Sequence, residues 1–403
     1  MNEFVLKNGI KSAYRKNPET PRIALTMNFS INDEEKFAGT YSLMARLLLQ
    51  GTKKYNSEIL AKILDENGIE IITDMKQDYL RFRLLALNED FRTAVEILEE
   101  IVRNSTFEEF EKEKIKMRGE LTAELDSARV KVSDAFIKTV YENHYYGHTY
   151  TNILENIDNI TKDDVVNAYN NIMHTSKKVI VSAGSIDENE VMKCIEKHFG
   201  DLPNAAESKK NYPKPMISEP KSTEVIKSDA QQAQILQGWL IPPYKEHDYA
   251  TMLVINTILG ASGLSSRLFR ELREKKGLAY TVRTSCEVKE LNGLFSIYIA
   301  TEPSNIQTCL NGFQEEIDKI RSIPVSQEEL KNAKNNIFGK HKLAVETNFQ
   351  QAAATAYYGI NGLPFDYYDT VMSERIKEVT PEYVVECANR YFTEKSVTAV
   401  LHP

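Results

Sequence analysis

The hydrophobic and polar positions of the chain alternate between strand-like and helix-like periods. Apolar and polar residues alternate over residues 22–31 and 79–87, as they do in half-buried strands. Residues 37–50 are apolar almost all round and contain no β-branched run, which favours a largely buried helix. Strands followed by grouped helices predict an α+β protein with an antiparallel-rich sheet and helices packed on one face.

One stretch of sequence occurs twice in altered form. Residues 160–168 (ITKDDVVNA) return as residues 379–387 (VTPEYVVEC), and each copy begins with a Thr suited to cap a helix and then leads into a β-rich stretch. We therefore predict two homologous domains of about 200 residues. The predicted domains span residues 1–202 and 223–403, and residues 203–222, which contain four prolines, form the predicted linker.

Two segments of the first half carry a resemblance to a known family. Leu6-Lys7-Asn8-Gly9-Ile10 leads into a strand, and the helix over residues 37–50 closes with Gly51-Thr52. The chain here resembles the pitrilysin or insulinase-type metallopeptidases, which include insulin-degrading enzyme and the mitochondrial processing peptidase. In that family the helix that ends in Gly-Thr carries the zinc motif H-x-x-E-H, in which two His bind zinc and Glu polarises the attacking water.

The present sequence departs from that motif at all three positions. Alignment from Gly51-Thr52 places Ser42, Ala45 and Arg46 there. Ser is a poor zinc ligand, Ala cannot act as a base, and the charge of Arg repels a metal ion. The resemblance would put the remaining ligand position at Glu120 or Glu124, and both stay open. We expect no metal in this chain and no hydrolysis by this chain alone.

Two other polar patterns in the first half have less specific meanings. Gly39, Ser42, Arg46 and Gln50 form a polar stripe at helical spacing, which either faces the large internal cavity of the family or is an ordinary solvent-facing stripe. The pair His144 and His148 has a spacing of four residues but no intervening acid, and the nearby Gly and Tyr residues favour a turn over a zinc helix.

The most specific signal lies in the second half, at residues 265–280 (SSRLFRELREKKGLAY). Locally this segment predicts a loop, a helix that Ser265 or Ser266 could cap, a stop at Gly277 and a strand. A Gly/Ser loop before a helix could bind phosphate, but the G-x-x-x-x-G-K-[ST] pattern is missing. The segment is similar to the second-half signature of the short-chain bacterial branch of the family. That resemblance implies that Arg273 and Tyr280 contact the substrate backbone near the scissile bond; otherwise they are a surface charge and a core aromatic.

The resemblance also implies an assembly. Short-chain relatives pair into a chamber for an extended peptide, and one subunit keeps the zinc motif while its partner keeps the Arg/Tyr pair. We therefore expect a non-catalytic subunit that assists a zinc-bearing homologous partner, and a homodimer could form when this chain is expressed alone. The alternative is an inert peptide-binding or structural scaffold of the same fold.

Composition limits the possible binding partners and the location of the protein. The net charge of −8 argues against nucleic acid or an anionic membrane as a partner, because both require a basic surface. The four cysteines form no C-x-x-C pair, and no signal-like or membrane-spanning stretch is present. We expect a cytoplasmic protein.

Overall fold

The fold was analysed in a computed structural model that describes residues 1–403. The chain forms eleven β-strands: β1 Asn2–Val5, β2 Lys11–Lys16, β3 Arg22–Ser30, β4 Glu70–Met75, β5 Tyr79–Leu87, β6 Lys178–Gly184, β7 Lys221–Ile226, β8 Ala233–Ile241, β9 Ala279–Val288, β10 Gly293–Thr301 and β11 Val397–His402. No helix combines the length and the apolar character that crossing a membrane requires.

The same chain forms fourteen α-helices: α1 Thr40–Leu47, α2 Ser57–Glu66, α3 Phe91–Asn104, α4 Phe110–Leu125, α5 Ala128–Val140, α6 Tyr150–Asn156, α7 Lys162–Thr175, α8 Glu188–Phe199, α9 Asp248–Asn256, α10 Ile306–Ser322, α11 Gln327–Ala344, α12 Asn348–Ile360, α13 Ser373–Glu378 and α14 Pro381–Tyr391. Shorter turns of 3₁₀-helix occur at Tyr145–Gly147, Ile157–Asn159, Gly263–Ser265 and Pro303–Asn305. Three π-helical segments are Thr257–Ala261, Phe269–Lys275 and Tyr368–Met372.

The chain divides into two compact units, and each takes segments from both halves of the sequence. Unit 1 contains Met1–Leu121, Asn152–Tyr212 and Leu343–Tyr367, and unit 2 contains Thr122–Thr151, Pro213–Lys342 and Tyr368–Pro403. The two-domain α+β architecture agrees with the sequence prediction. The domain boundaries at residues 202 and 223 stay a prediction about the duplicated sequence. They are not the boundaries of the folded units, because each unit contains helices from both sides of the predicted linker.

Unit 1 is built on a six-stranded sheet with the order β1-β2-β6-β3-β5-β4. Only the β2–β6 pair is parallel. Strands β3 and β5 coincide closely with the two alternating segments of the sequence, and Arg22 pairs with Leu87 at one end of their ladder. Since β3 is buried along almost its whole length, both faces of this sheet are covered.

The helix that covers one of these faces comes from the second half of the sequence. In α12, Ala352 and Ala356 pack with Ala24 of β3 and Val181 of β6 in one buried cluster. Such small side chains allow a close approach between helix and sheet. Helices α3, α7 and α8, which the first half supplies, also contact the sheet. The sequence pattern predicts helices on one face of the sheet only. The structure adds α12 on the second face.

Unit 2 repeats the pairing pattern of unit 1 in a five-stranded sheet. The order is β7-β11-β8-β10-β9, and only the β7–β11 pair is parallel. Its five strands thus correspond in order and direction to β2, β6, β3, β5 and β4 of unit 1. Helix α5, from the first half of the sequence, contacts β7, β8 and β11. The shared topology is the arrangement that a duplicated domain would produce.

The two copies of the repeated segment both begin a helix as the sequence predicts. The Thr161 hydroxyl accepts a hydrogen bond from the Asp164 amide in a complete capping box at the start of α7. At the start of α14, Thr380 caps the Tyr383 amide and Pro381 occupies the first helical position.

Candidate functional site

The helix that carries Ser42, Ala45 and Arg46 is shorter than the sequence predicts. It begins after Gly39, whose φ of +96° lies in the left-handed region and which has no room for a Cβ beside Ile153. The carboxylate of Glu35 then accepts hydrogen bonds from the Gly39 and Tyr41 amides, at 3.0 and 2.8 Å. A glycine break and a carboxylate cap together fix where α1 starts.

Arg46 of α1 is held by two acids from α4. Its Nε lies 3.3 Å from Oε2 of Glu113, and its Nη1 donates a 2.8 Å hydrogen bond to Oε2 of Glu120. The Glu113 side chain is only 4% exposed, and the Arg46 guanidinium compensates its charge together with the Lys116 ammonium, which lies 3.7 Å from Oε1. Glu113 and Glu120 are two helical turns apart and share one face of α4.

The ion-pair cluster shifts the ionisation of its members. Burial alone would lower the pKa of Arg46, but hydrogen bonds and charge from Glu120 and Glu113 outweigh burial and raise it. The hydrogen bond from Arg46 lowers the pKa of Glu120. Arg46 and Glu120 are therefore both charged at neutral pH, and the Lys116 ammonium, 3.7 Å from Oε1 of Glu113, is a second cation of the cluster.

These residues do not fit a zinc ion. Arg46 occupies the space between the carboxylates with a permanent positive charge, and Ala45, which is 3% exposed, offers no side-chain donor. The Ala45 carbonyl accepts a 2.7 Å hydrogen bond from Thr73 of the edge strand β4, which ties α1 to that edge. No group of three or more His, Cys, Asp or Glu residues in the structure could hold a metal ion.

Of the two acids left open by the sequence, Glu120 is the one that contacts α1, whereas Glu124 is exposed one turn further along. Sequence reasoning missed Glu113. The signal that could have found it is its spacing of seven residues before Glu120, which returns to the same helix face. Within the polar stripe, Arg46 faces these acids, and Ser42 and Gln50 are half-buried.

His144 and His148 flank a short 3₁₀ turn, as the turn prediction requires. Nδ1 of His144 accepts a hydrogen bond from the Tyr146 amide, and its Nε2 lies 2.8 Å from the Pro213 carbonyl. Both nitrogens of this buried ring are therefore used within the fold.

The second candidate site contains Arg273 and Tyr280, which the structure brings together. The guanidinium carbon of Arg273 lies 4.7 Å from the centroid of the Tyr280 ring and 4.5 Å from that of Phe269. Cation–π contacts of this kind orient a guanidinium without using its N–H donors. Neither Arg273 nor Tyr280 forms a side-chain hydrogen bond or ion pair in the structure, so both keep their donors available.

The local backbone explains why Tyr280 points outward. Arg273 lies in the π-helical segment Phe269–Lys275, and the chain turns at Gly277 with a φ of +64° before β9 begins. The register of β9 on β10 shifts between Ala300 and Thr301, which leaves Tyr280 as the extra residue of a β-bulge. A bulge redirects a side chain, and Tyr280 is 79% exposed. Both irregularities are features that proteins concentrate near functional sites.

The loop before this helix is shaped by internal bonds. Ser266 lies where the helix begins, but its hydroxyl donates to the Gly263 carbonyl at 2.7 Å and does not cap a helix amide. Arg267 forms two hydrogen bonds to Glu329 of α11, at 2.8 and 2.7 Å. A bidentate pair of this geometry fixes the helix against α11 beside an open cleft of about 580 Å³.

A cysteine-based chemistry finds no support in the structure. The most suggestive arrangement is on α8, where Cys194 precedes His198 by one helical turn and Nδ1 of His198 lies 2.6 Å from Oε2 of Glu99. Burial, however, raises the pKa of the Cys194 thiol to about 11 and that of the Cys387 thiol to about 12. These thiols stay protonated at neutral pH and are poor nucleophiles.

The fold and the two sites together define a two-domain peptidase fold without metal ligands at its zinc-motif position. Two models of one family match the chain: the insulinase family, peptidase family M16, over residues 12–157, and the peptidase M16 inactive domain over residues 159–337. The chain belongs to the peptidase M16 family, and its second half matches the inactive domain of that family.

Relatives match most or all of the chain. It is 24% identical over 410 residues to the "uncharacterized zinc protease YmxG" of Bacillus subtilis, which covers 100% of this chain and 98% of that protein. It is 25% identical over 358 residues to the "non-peptidase homolog YmxG" of Helicobacter pylori, with 86% and 80% covered.

Solved structures share the fold. A protease from Helicobacter pylori superimposes with a TM-score of 0.89 at 21% identity and covers 100% of this chain and 99% of its own. A peptidase M16 inactive domain from Pseudomonas fluorescens gives a TM-score of 0.89 at 20% identity, with 100% and 97% covered.

Proposed function

We propose that this chain is the non-catalytic subunit of a heterodimeric zinc peptidase and supplies Arg273 and Tyr280 to a zinc site on its partner. The observation that carries this proposal is the contrast between the two sites. At the first site, Arg46 forms ion pairs with the carboxylates of Glu113 and Glu120. Arg273 and Tyr280, in contrast, are oriented by ring contacts and keep their donors free.

The chemistry of the pair suits peptide-bond cleavage. The Arg273 guanidinium can donate two parallel hydrogen bonds to a peptide carbonyl, and the Tyr280 hydroxyl can donate to the oxyanion of the tetrahedral intermediate. The zinc ion of the partner would supply the activated water. Neither residue has to accept or lose a proton in this role, so only their orientation matters.

The sheet edges provide a second element of the proposal. Strand β9, which begins beside Tyr280, and strand β4, which is bonded to α1, are each the last strand of their sheet. An extended peptide can add to such an edge through its backbone, a mode that tolerates many sequences. We propose that the substrate is an extended peptide bound in this way inside a chamber formed by the two subunits.

Mixing the purified chain with a homologue from the same cell that carries H-x-x-E-H tests the proposal. We expect cleavage of an unstructured peptide only in the mixture. Tyr280→Phe, which keeps the ring over which Arg273 lies, should lower kcat by about tenfold or more, the scale of one lost transition-state hydrogen bond. Arg273→Lys, which keeps the positive charge but cannot donate two parallel hydrogen bonds to one carbonyl, should lower kcat to a similar extent.

Arg270→Lys is the matched control, because Arg270 is an exposed residue of the same π-helical segment. It should leave cleavage by the mixture unchanged. If Arg273→Lys and Tyr280→Phe cleave as fast as the unmodified mixture, the proposed role is wrong.

A scaffold without any catalytic role is the second candidate, and the missing metal ligands and the "non-peptidase" relative favour it. It predicts that a stable complex with the zinc-bearing homologue stays inactive, or that no such complex forms. An active mixture that loses activity with Tyr280→Phe excludes it.

A further inference from the structure

A polar groove in unit 2 lies beside the edge strand β9, separate from the Arg273–Tyr280 pair. It has a volume of about 300 Å³ and runs between helix α5 and strands β8, β9 and β10. Its lining includes two arginines, Arg129 from α5 and Arg283 from β9, together with the nearly buried Tyr298 of β10.

Both guanidiniums lie on the ring of Tyr298. Their Cζ atoms are 5.4 Å (Arg129) and 5.3 Å (Arg283) from its centroid, and Arg283 is the direct cross-strand neighbour of Tyr298. The Tyr298 hydroxyl is already used, since it donates to Oε1 of Gln234 at 2.5 Å. The Tyr298 ring therefore orients the two guanidiniums by cation–π contacts, and the N–H groups of the arginines are the donors that a ligand in the groove could use.

Neither arginine has an acidic partner. Arg129 and Arg283 form no ion pair in the structure, in contrast to Arg267, which is bound bidentately by Glu329 in the same unit. Two like charges that share one ring repel each other, and neither has an ion-pair partner that would reduce that repulsion. An anion between them would do so.

The start of helix α5 adds to the positive potential. Its first turn contains Arg129 and no acid, and the N-cap residue Ser127 makes no side-chain bond to the helix amides. A cation in the first turn opposes the helix dipole and is the reverse of what helix stability favours. A residue such as Arg129, which opposes helix stability without a compensating contact in the fold, is typical of a functional position.

We propose that Arg129 and Arg283 bind a carboxylate of an extended peptide that pairs with β9. Arg283 lies three residues from Tyr280 on this strand, or about 10 Å along it, so one short peptide reaches both. Glu287, which also lines the groove, lies roughly 13 Å beyond Arg283 on the same face, which disfavours a polyanion such as nucleic acid. The inference deepens the proposed function, because it assigns the chemical class that this subunit selects.

Fluorescence anisotropy with the full chain alone tests the inference without a partner. Three versions of one labelled, unstructured peptide are compared: one with a free C-terminal carboxylate, one amidated, and one amidated with an internal Glu. We expect at least one carboxylate peptide to bind about tenfold or more tightly than the neutral amide, and the stronger of the two identifies the source of the carboxylate.

Arg283→Gln and Arg129→Gln should each weaken that binding by about tenfold and leave the affinity for the amide unchanged. Arg321→Gln on α10 is the control for a lost positive charge, because Arg321 is already bonded to Asn389 and Asp318. It should have no effect. Equal affinities for all three peptides, no binding of either carboxylate peptide, or variants that bind as the wild type does would overturn the inference.

The outcome is separable from that of the proposed function. In an active mixture, Arg283→Gln should raise KM for the carboxylate peptide and leave kcat unchanged, whereas Tyr280→Phe lowers kcat. Carboxylate-dependent binding together with an inactive mixture would keep the inference and reject the role in catalysis.

Discussion

Nη1 of Arg46 lies 2.8 Å from Oε2 of Glu120, so a guanidinium joins helix α1 to helix α4 where the family resemblance aligns the zinc motif. The same guanidinium contacts Glu113, which is almost fully buried. This guanidinium is thus part of the fold, which has consequences for metal binding and for stability.

Restoring the motif should restore metal binding. The variant Ser42→His/Ala45→Glu/Arg46→His places two imidazoles one helical turn apart, within reach of Glu120, and removes the competing positive charge. We expect about one zinc per chain after dialysis, measured by elemental analysis, and none in the wild type. Ser42→His/Ala45→Glu, which keeps Arg46, is the control and should bind none. A folded triple variant without zinc would show that Glu120 is not the remaining ligand position.

Arg46 also stabilises the fold. Replacement of Arg46 by Met leaves the Glu113 carboxylate buried without the guanidinium, and we expect the free energy of unfolding in urea to fall by about 2–3 kcal/mol. Arg118→Met removes an ion pair to the exposed Asp158 and should cost less than about 1 kcal/mol. Arg46→Met/Glu113→Met should recover much of the loss. If the double variant is no better than the single one, an unpaired carboxylate is not the cause.

Lys178 on β6 should oppose folding at neutral pH. It is 1% exposed, and burial lowers its pKa from 10.5 to about 8, although its ammonium lies 5.1 Å from the centroid of the Phe29 ring. Between these two pKa values the unfolded chain binds more protons than the folded one, so stability rises with pH in this window. Lys178→Met should therefore raise the free energy of unfolding at pH 7 by about 1–3 kcal/mol.

The advantage of Lys178→Met should shrink by roughly half between pH 7 and pH 9.5, because the wild-type lysine then folds in its neutral form. The Ser176 carbonyl, which accepts from the Lys178 ammonium, keeps the Ala205 amide as a donor. Lys162→Met, an exposed change on α7, controls for the lost charge. If the gain in stability from Lys178→Met stays constant with pH, burial of the Lys178 charge is not what destabilises the wild type.

Asp248 is the acceptor at the centre of a network between α9 and α14. Its carboxylate accepts from the hydroxyls of Tyr383 and Tyr391, at 2.5 and 2.7 Å, and from Arg390. Burial alone would raise its pKa, but these hydrogen bonds outweigh burial and lower it. A lowered pKa contributes stability above the unfolded value, near pH 4, which is lost as pH falls through the folded value.

We expect Asp248→Asn to lower the free energy of unfolding by about 2–3 kcal/mol at pH 7 and by clearly less at pH 3. Asp229→Asn, which removes an exposed ion pair with Lys227, should leave the free energy of unfolding nearly unchanged. An equal loss at both pH values would mean that the carboxylate charge is not what the network requires.

Much of the local structure follows from the sequence, because strand alternation and helix capping are short-range effects. The strand pattern of residues 79–87 and the caps at Thr161 and Thr380 are confirmed, and the helix after Ser266 ends at Gly277 as expected. Arg273 and Tyr280 lie close together, and their role as substrate contacts stays a prediction.

The remaining features depend on partners far away in sequence. Helix α1 starts only after Gly39, because a left-handed residue and the Glu35 cap override an apolar pattern that continues upstream. The bulge at Tyr280 arises from pairing with β10, and the acid pair on Arg46 arises from packing of α1 against α4. The bulge has no periodic signature within β9, and the seven-residue spacing of Glu113 and Glu120 does not reveal Arg46 as their partner. No pattern within one half could assign α12 to the sheet of the other half.

The exchange of helices has a consequence for biosynthesis. The segment Leu343–Tyr367, which covers one face of the unit 1 sheet, is translated only after all six strands of that sheet. The nascent polypeptide must therefore expose an uncovered apolar surface until that segment has emerged from the ribosome, a state that favours chaperone binding. Truncation before residue 343 should yield insoluble material, however complete the first half of the sequence may look.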